Sequence, residues 1–293
     1  MKVSKGSIVA DVLIYLFIGI VSLSCILPYI HVIAKSFSSE NYVLAKKVFL
    51  WPMGFTADAY VKIFHDSSFI KSFWVTIIMT VLFTLLGMFL TICTAYPLSR
   101  KDLRGRKFFN FIFIFTMYFA GGMIPDYILM NKLHLLETIW SLILPLSFSA
   151  YNLVIMKNAI ESSIPDSLVE SAVIDGADQF TILNKIVVPL SKPIIATLTL
   201  FYAVGRWKTY SDALFYIKQN RDLRPLQLKL YYLIVAAAES VQGSVNDTAI
   251  STVTNPEILK AACIVFATVP IICVYPFVQK YFVQGTMIGA VKG

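Results

Sequence analysis

Five stretches of this sequence run for 18 residues or more without a single Asp, Glu, Lys or Arg: Val12 to Ala34, Ser72 to Ser99, Phe108 to Pro125, Thr138 to Met156 and Ala261 to Gln279. In hydrocarbon every backbone N–H and C=O must be satisfied internally, so such runs fold as helices. About 20 residues at about 1.5 Å of rise cover the roughly 30 Å of a bilayer core. A sixth run opens at Pro193 and meets Arg206 after 13 residues, roughly 20 Å along a helix and short of the far side. Six crossings are predicted, and an even number places both termini on one side. The chain is 57% hydrophobic and 14% charged, against about 25% charged in a soluble domain. That excludes an ordinary soluble enzyme.

The first run follows Lys2 and Lys5 and contains Cys25, but it extends to Ala34, past the length of a signal-peptide core. It reads as an uncleaved anchor. Orientation comes from the short loop Arg100 to Lys107, five of whose eight residues are basic. Basic residues in short loops close to the spans stay on the cytoplasmic side, so that loop and both termini are expected there. The net charge of +8 is spread between apolar blocks, which fits juxtamembrane lysine and arginine and gives no case for nucleic acid. Ser240 to Glu257, rich in Ser, Asn, Asp and Thr, reads as a solvated extracytoplasmic loop.

Catalytic and metal-binding signatures are missing. His31, His65 and His134 lie far apart, and there is no phosphate loop, nucleophile elbow or helical His-Glu-x-x-His. No catalytic residue and no metal ligand is assigned. Cys25, Cys93, Cys263 and Cys273 sit inside apolar runs without pairing motifs and are expected to be small buried hydrophobes.

The segment Ser162 to Pro193 is polar yet patterned for short helices. Ser163-Ile164-Pro165-Asp166 has the form of a capping box. Leu168, Ala172 and Val173 recur at helical spacing, Gly176 permits a left-handed stop, and Asp178 can cap a second helix that Pro189 closes. The product is a helical hairpin whose first arm is acidic (Asp166, Glu170, Asp175). Such an arm suits a basic protein partner better than an anionic lipid surface.

In the fifth span, Arg206-Trp207-Lys208-Thr209-Tyr210-Ser211-Asp212 places ionisable groups where they are costly and face a protein interior or a wet cavity. Two readings stay open. One is a Lys208–Asp212 pair at i,i+4 with Arg206 reaching the interface. The other is a polar lining of a wet cavity, with Trp207 and Tyr210 presenting ring faces three residues apart. Gly121, Gly122 and Pro125 interrupt the third span; ordinary helix termination and a break lining a cavity both fit.

Glu170-Ser171-Ala172, then Asp175-Gly176-Ala177 and Val188-Pro189-Leu190-Ser191-Lys192-Pro193, resemble the EAA loop of ABC importer permeases. With Phe115 to Pro125, Pro145 to Asn158, Tyr202 to Gly205, Pro225-Leu226-Gln227 and the tail Gln279 to Gly293, the likeness covers nearly the whole chain and is to carbohydrate permeases of the maltose-permease type. The resemblance implies an all-α membrane protein of six helices with a coupling loop at 162–193. Its parts would be an anchor and outer loop (1–71), a permease core (72–282) and a cytoplasmic tail (283–293). It implies assembly with a second permease subunit, two ATPase subunits that bind ATP and Mg, and an extracytoplasmic solute-binding protein, with this chain spanning a bacterial inner membrane. This chain itself would bind no cofactor. Glu170, Ser171, Ala172, Asp175 and Gly176 would dock on an ATPase. Arg206, Trp207, Lys208, Tyr210 and Asp212, with Gly121 and Gly122, would line the substrate path. Related permeases tend to carry His and Asn at 206 and 208, so the two cations hint at acidic, uronate-containing oligosaccharides. A permease for neutral oligosaccharides and a secondary transporter without an ATPase are the rival readings.

Overall fold

The computed structural model describes residues 5–241 and 255–290. Among them there is no β-strand beyond one isolated bridge, Ser38 with Phe55; the rest is helix and connection. Three helices are long and apolar enough to cross a bilayer: Asp11–Ser36 within Lys5–Ser36, Ser67–Ser99, and Pro256–Pro276 within Pro256–Ala290. Val12, Tyr15, Phe17 and Leu23 on the first are all more than half exposed, as a lipid-facing helix requires.

The remaining expected crossings are not single rods. Helix Arg106–Tyr118 stops after 13 residues and restarts as Met123–Lys132 with a bend of 109°. Gly122, at φ +90°, makes this corner, a conformation that strains any side chain with a β-carbon. Pro125 falls in the first turn of the second helix, where its missing N–H has no helical partner to lose. The stretch Thr138 to Met156 is likewise divided. A short helix Trp140–Ile143 gives way at Pro145 and Leu146 (φ +60°), and Ser149 then caps helix Ala150–Ser163 by accepting from the Asn152 N–H at 3.3 Å. Gln179–Leu190 and Lys192–Lys208 meet at 82°. Pro189 does not close the former at its own position. A π-helical turn at Leu183–Val187 widens the backbone ladder just before the proline, and the helix continues to Leu190. The loop expected at Ser240 to Glu257 lies mostly outside the described residues; helix Leu226–Val241 enters it and Pro256 starts the last helix. That last helix continues to Ala290, through the boundary expected at 282.

The chain divides into two compact units. In the first, residues 1–70 with 230–270, Lys35 pairs with Glu257, the Ser36 hydroxyl meets Tyr60 at 2.7 Å, and Phe37 stacks on Phe55 and Tyr60. The second unit, residues 71–229 with 271–293, has a core of Phe83, Tyr96, Leu153, Met156, Ile160, Val169, Ile182, Leu198 and Tyr202. Tyr202 organises its centre. Its hydroxyl lies 2.8 Å from the Thr91 hydroxyl and accepts from the Ser149 N–H at 3.1 Å. Gly87 permits the packing, since a β-carbon there would come within 2.5 Å of the Ser147 carbonyl and 2.9 Å of the Tyr202 ring. The expectation of four buried cysteines is corrected: Cys263 is buried, but Cys25, Cys93 and Cys273 are exposed on apolar outward faces.

Candidate functional site

Two parts of the second unit carry the residues singled out above. The hairpin begins with helix Asp166–Ile174. Ser163 does not form the expected capping box, because it is the last residue of the preceding helix and Pro165 occupies the cap. Asp166 instead accepts from Lys101 at 2.7 Å, with Arg100 at 3.9 Å. The Lys101 hydrogen bond and charge hold its carboxyl below the usual carboxylate range. The helix rests on the core through buried Val169 and, of the expected stripe, through part-buried Ala172 alone, since Leu168 and Val173 are 39% and 47% exposed. This rotation turns Glu170, Ser171, Ile174 and Asp175 outward. Among the described residues, Glu170 and Asp175 make no ion pair.

The hairpin turn takes the form anticipated. Gly176 sits at φ +82°, its N–H donates to the Val173 carbonyl at 3.0 Å, and the Ala177 N–H donates to the Ala172 carbonyl at 2.9 Å. This pair of bonds is the Schellman ending of a helix. Asp178 then caps the second arm, its Oδ1 accepting from the Thr181 N–H at 3.3 Å, and that bond outweighs burial to lower its pKa. The Tyr96 hydroxyl donates to Gln179 Oε1 at 2.6 Å, tying the arm to helix Ser67–Ser99.

The second part is the end of helix Lys192–Lys208. The helix stops at Lys208, Thr209 is extended (φ −83°, ψ 133°), and a short helix Ser211–Tyr216 follows. The break decides the ion pairing. An i,i+4 contact needs an unbroken helix, so Asp212 pairs with Arg206 and not with Lys208. Arg206 Nη1 donates to Asp212 Oδ2 at 2.5 Å, Nη2 lies 3.3 Å from Met79 Sδ, and the guanidinium carbon is 5.2 Å from the Phe83 ring centre. The Arg206 side chain is 2% exposed, so it does not reach outward to an interface, and among the described residues its Nε has no hydrogen-bond partner. Asp212 Oδ1 accepts from the Ala213 N–H at 2.9 Å, which satisfies a free donor in the first turn of the short helix. Trp207 is buried edge-on to Phe73, while Tyr210 is 37% exposed. The two rings therefore do not share one helix face. Lys208 is exposed and forms no ion pair among the described residues. Gly121 and Gly122 lie in the corner before Met123, and a β-carbon on Gly121 would meet only Pro125, at 3.8 Å.

Glu137 has no counterpart among the residues that the sequence pattern marks. Held at φ +60°, it accepts backbone N–H bonds from Lys218 (2.8 Å), Gln219 (3.1 Å) and Asn220 (2.9 Å), and its own N–H donates to the Tyr216 carbonyl. Burial opposes its ionisation, but the three backbone donors and the Arg224 charge prevail and hold the carboxyl below its usual value. No local signal marks it, because every donor comes from about eighty residues away. Among the described residues no group of His, Cys, Asp or Glu is placed to hold a metal ion.

A bent, all-helical membrane chain with a packed helical hairpin between two spans is the architecture of a transport-system membrane component. The chain matches that family over residues 67–288 and belongs to it: the inner membrane components of binding-protein-dependent transport systems, which are transport subunits rather than enzymes. It is 44% identical over 283 residues to the polygalacturonan/rhamnogalacturonan transport system permease protein YtcP of Bacillus subtilis, covering 97% of this chain and 98% of that one. Against Protein LplC of the same organism it is 41% identical over 293 residues, with 100% and 98% covered. Among solved structures, a crystal structure of a bacterial ABC transporter involved in the import of the acidic polysaccharide alginate matches at 34% identity and a TM-score of 0.84, covering 96% of this chain and 99% of that chain.

Proposed function

We propose that this chain is one of two permease subunits in an ATP-driven importer of uronate-containing oligosaccharides. One observation carries the substrate class: full-length likeness to a polygalacturonan/rhamnogalacturonan permease, joined by the structural match to an alginate importer. Both polymers are acidic. The partners follow from the same assignment: a second permease, two ATPase subunits holding ATP and Mg, and an extracytoplasmic solute-binding protein. The hairpin is the coupling element. Glu170, Ser171 and Asp175 present an outward polar face for an ATPase, Ala172 seats the helix, and Gly176 makes the turn.

Within the substrate path, Lys208 and Tyr210 are the members positioned to meet a sugar, since both are exposed. Buried Arg206 and Trp207, with partly buried Asp212, shape the wall behind them, and the Gly121–Gly122 corner borders the same path. The division of labour along the chain follows the boundaries 1–71, 72–282 and 283–293, with both termini and the loop Arg100 to Lys107 cytoplasmic in a bacterial inner membrane. Single cysteines at Arg104 and Gln219 should label from opposite faces; labelling of both from outside would reject this orientation.

The test of substrate class is binding-protein-stimulated ATPase activity in proteoliposomes, comparing uronate with neutral oligosaccharides. A preference for uronates is expected. Equal stimulation by both would leave the neutral-oligosaccharide reading in its place, and transport without any ATPase subunit would point to a secondary transporter.

A further inference from the structure

The end of helix Ser67–Ser99 and the second arm of the hairpin border a groove that contains none of the residues assigned above to coupling or to the substrate path. It encloses about 700 Å3 between Cys93 and Pro97 on one side and Phe180 and Leu183 on the other, with Arg100 and Arg104 at its rim. The apolar wall does not end at the groove. Leu85 and Phe89 are each 63% exposed, Cys93 and Pro97 are exposed, and the four are spaced by four residues, so they form one stripe along the helix. The stripe leads from the membrane-spanning part of the helix into the groove.

The rim is unbalanced in charge. Arg100 is shared between Asp102 at 3.4 Å and Asp166 at 3.9 Å. Asp102 lines the groove too, but Arg104 is exposed and makes no ion pair among the described residues, so the lining keeps one positive charge in excess. An occupant must therefore be apolar along one end and anionic at the other. In the hydrocarbon layer beside a spanning helix the available partner of that form is an anionic phospholipid, and basic pockets between membrane helices suit such headgroups.

We propose that this groove binds an anionic phospholipid, with an acyl chain along Leu85, Phe89, Cys93 and Pro97 and the phosphate at Arg104. Phe180 and Leu183 follow directly on the Gly176 turn, so an occupied groove braces the hairpin against helix Ser67–Ser99. The site is independent of which sugar the importer carries.

The test is native mass spectrometry of the assembled importer released from micelles containing phosphatidylglycerol or phosphatidylcholine. The wild type should retain phosphatidylglycerol in preference. R104E, which reverses the charge at this position, should weaken that retention at least about fivefold, given about 1 kcal/mol per basic residue at a lipid surface, and C93W, which fills the groove, should weaken it as well. R104Q serves in place of R104E if charge reversal lowers assembly. Glycerol phosphate, the headgroup without chains, should not displace the lipid. Equal retention of both lipids would overturn the proposal. So would wild-type retention in the variants, the result expected if an ATPase or the second permease covers the groove.

Discussion

The acidic hairpin and the charged bend are both breaks between helices, and both carry carboxylates, yet they dispose of charge in opposite ways. In the hairpin, Val169 and Ala172 anchor the helix while Glu170 and Asp175 stay outward and unpaired. At the bend, Arg206 and Asp212 neutralise one another in a pocket of Phe83 and Met79, with almost no exposure. A group meant for another subunit must stay hydrated and ready until that subunit arrives. A group that shapes a wall must be satisfied within its own chain, because an unpaired charge in a buried setting is costly. The hairpin thus leaves Glu170 and Asp175 to solvent, and the bend pairs its own carboxylate within the chain.

Breaking the bend should have the largest effect. Asp212→Ala leaves the Arg206 guanidinium buried without a counter-charge, a loss of about 3–5 kcal/mol for such pairs. The yield of folded protein in detergent should fall sharply, and a second change, Arg206→Met, should restore much of it. A yield unchanged by Asp212→Ala would mean that the pair does not hold the bend.

Glu137→Gln comes next. It keeps the shape but removes the charge from three backbone hydrogen bonds, and bonds to charged groups contribute about 1.5–3 kcal/mol each where burial is substantial. Because solvent reaches this site, the combined loss should sit toward the lower end for one such bond. The pH dependence has a definite sign. Glu137 has a lowered folded-state pKa, so its contribution is present above the unfolded value and disappears as pH falls through the folded one. Proteolysis near Lys218 to Asn220 should accelerate on acidification in the wild type and show a flatter pH profile in Glu137→Gln.

In the hairpin the effects on stability should be smaller and those on coupling larger. Gly176→Val places a β-branched residue at φ +82°, which costs roughly 1–2 kcal/mol locally. Glu170→Lys should leave thermal stability within about 0.5 kcal/mol, as exposed substitutions do. Both should lower transport strongly while the chain remains inserted. If Glu170→Lys transported at the wild-type rate, the outward face would have no part in coupling.

Lys208→Ala should change stability least, since Lys208 has no ion pair to lose. Its effect should appear as a several-fold loss of stimulation by uronate oligosaccharides, with neutral ones unaffected, on the scale of one exposed charge at about 0.2–1 kcal/mol. Equal loss for both sugars would assign it a general role in the path.

Local chemistry is legible in the order of residues alone. The helix stop at Gly176, the cap at Asp178 and the three unbroken crossings each depend on residues within a few positions of one another, or on the uniform apolarity of one run. The expected capping box at Ser163 failed because the preceding helix extends through it and takes Ser163 into its last turn. Of the stripe Leu168, Ala172 and Val173 only Ala172 faces the core, because helical spacing defines a periodicity and the neighbouring core selects which phase faces in.

The amino-acid sequence by itself determined that this chain lives in a membrane, that it is built of helices and that a hairpin with an acidic arm lies between two of them. Hydrophobic run length and turn chemistry act along the chain and need no knowledge of neighbours. Tertiary structure alone decided that Arg206 pairs with Asp212, that Glu137 clamps a turn about eighty residues away, and that the stretch Thr138 to Met156 is divided where a straight helix would also have been apolar enough. Each of these turns on which groups are brought together across the fold. A charge buried in low dielectric takes whichever opposite charge the backbone geometry allows, and a single break at Thr209 moved that choice from Lys208 to Arg206.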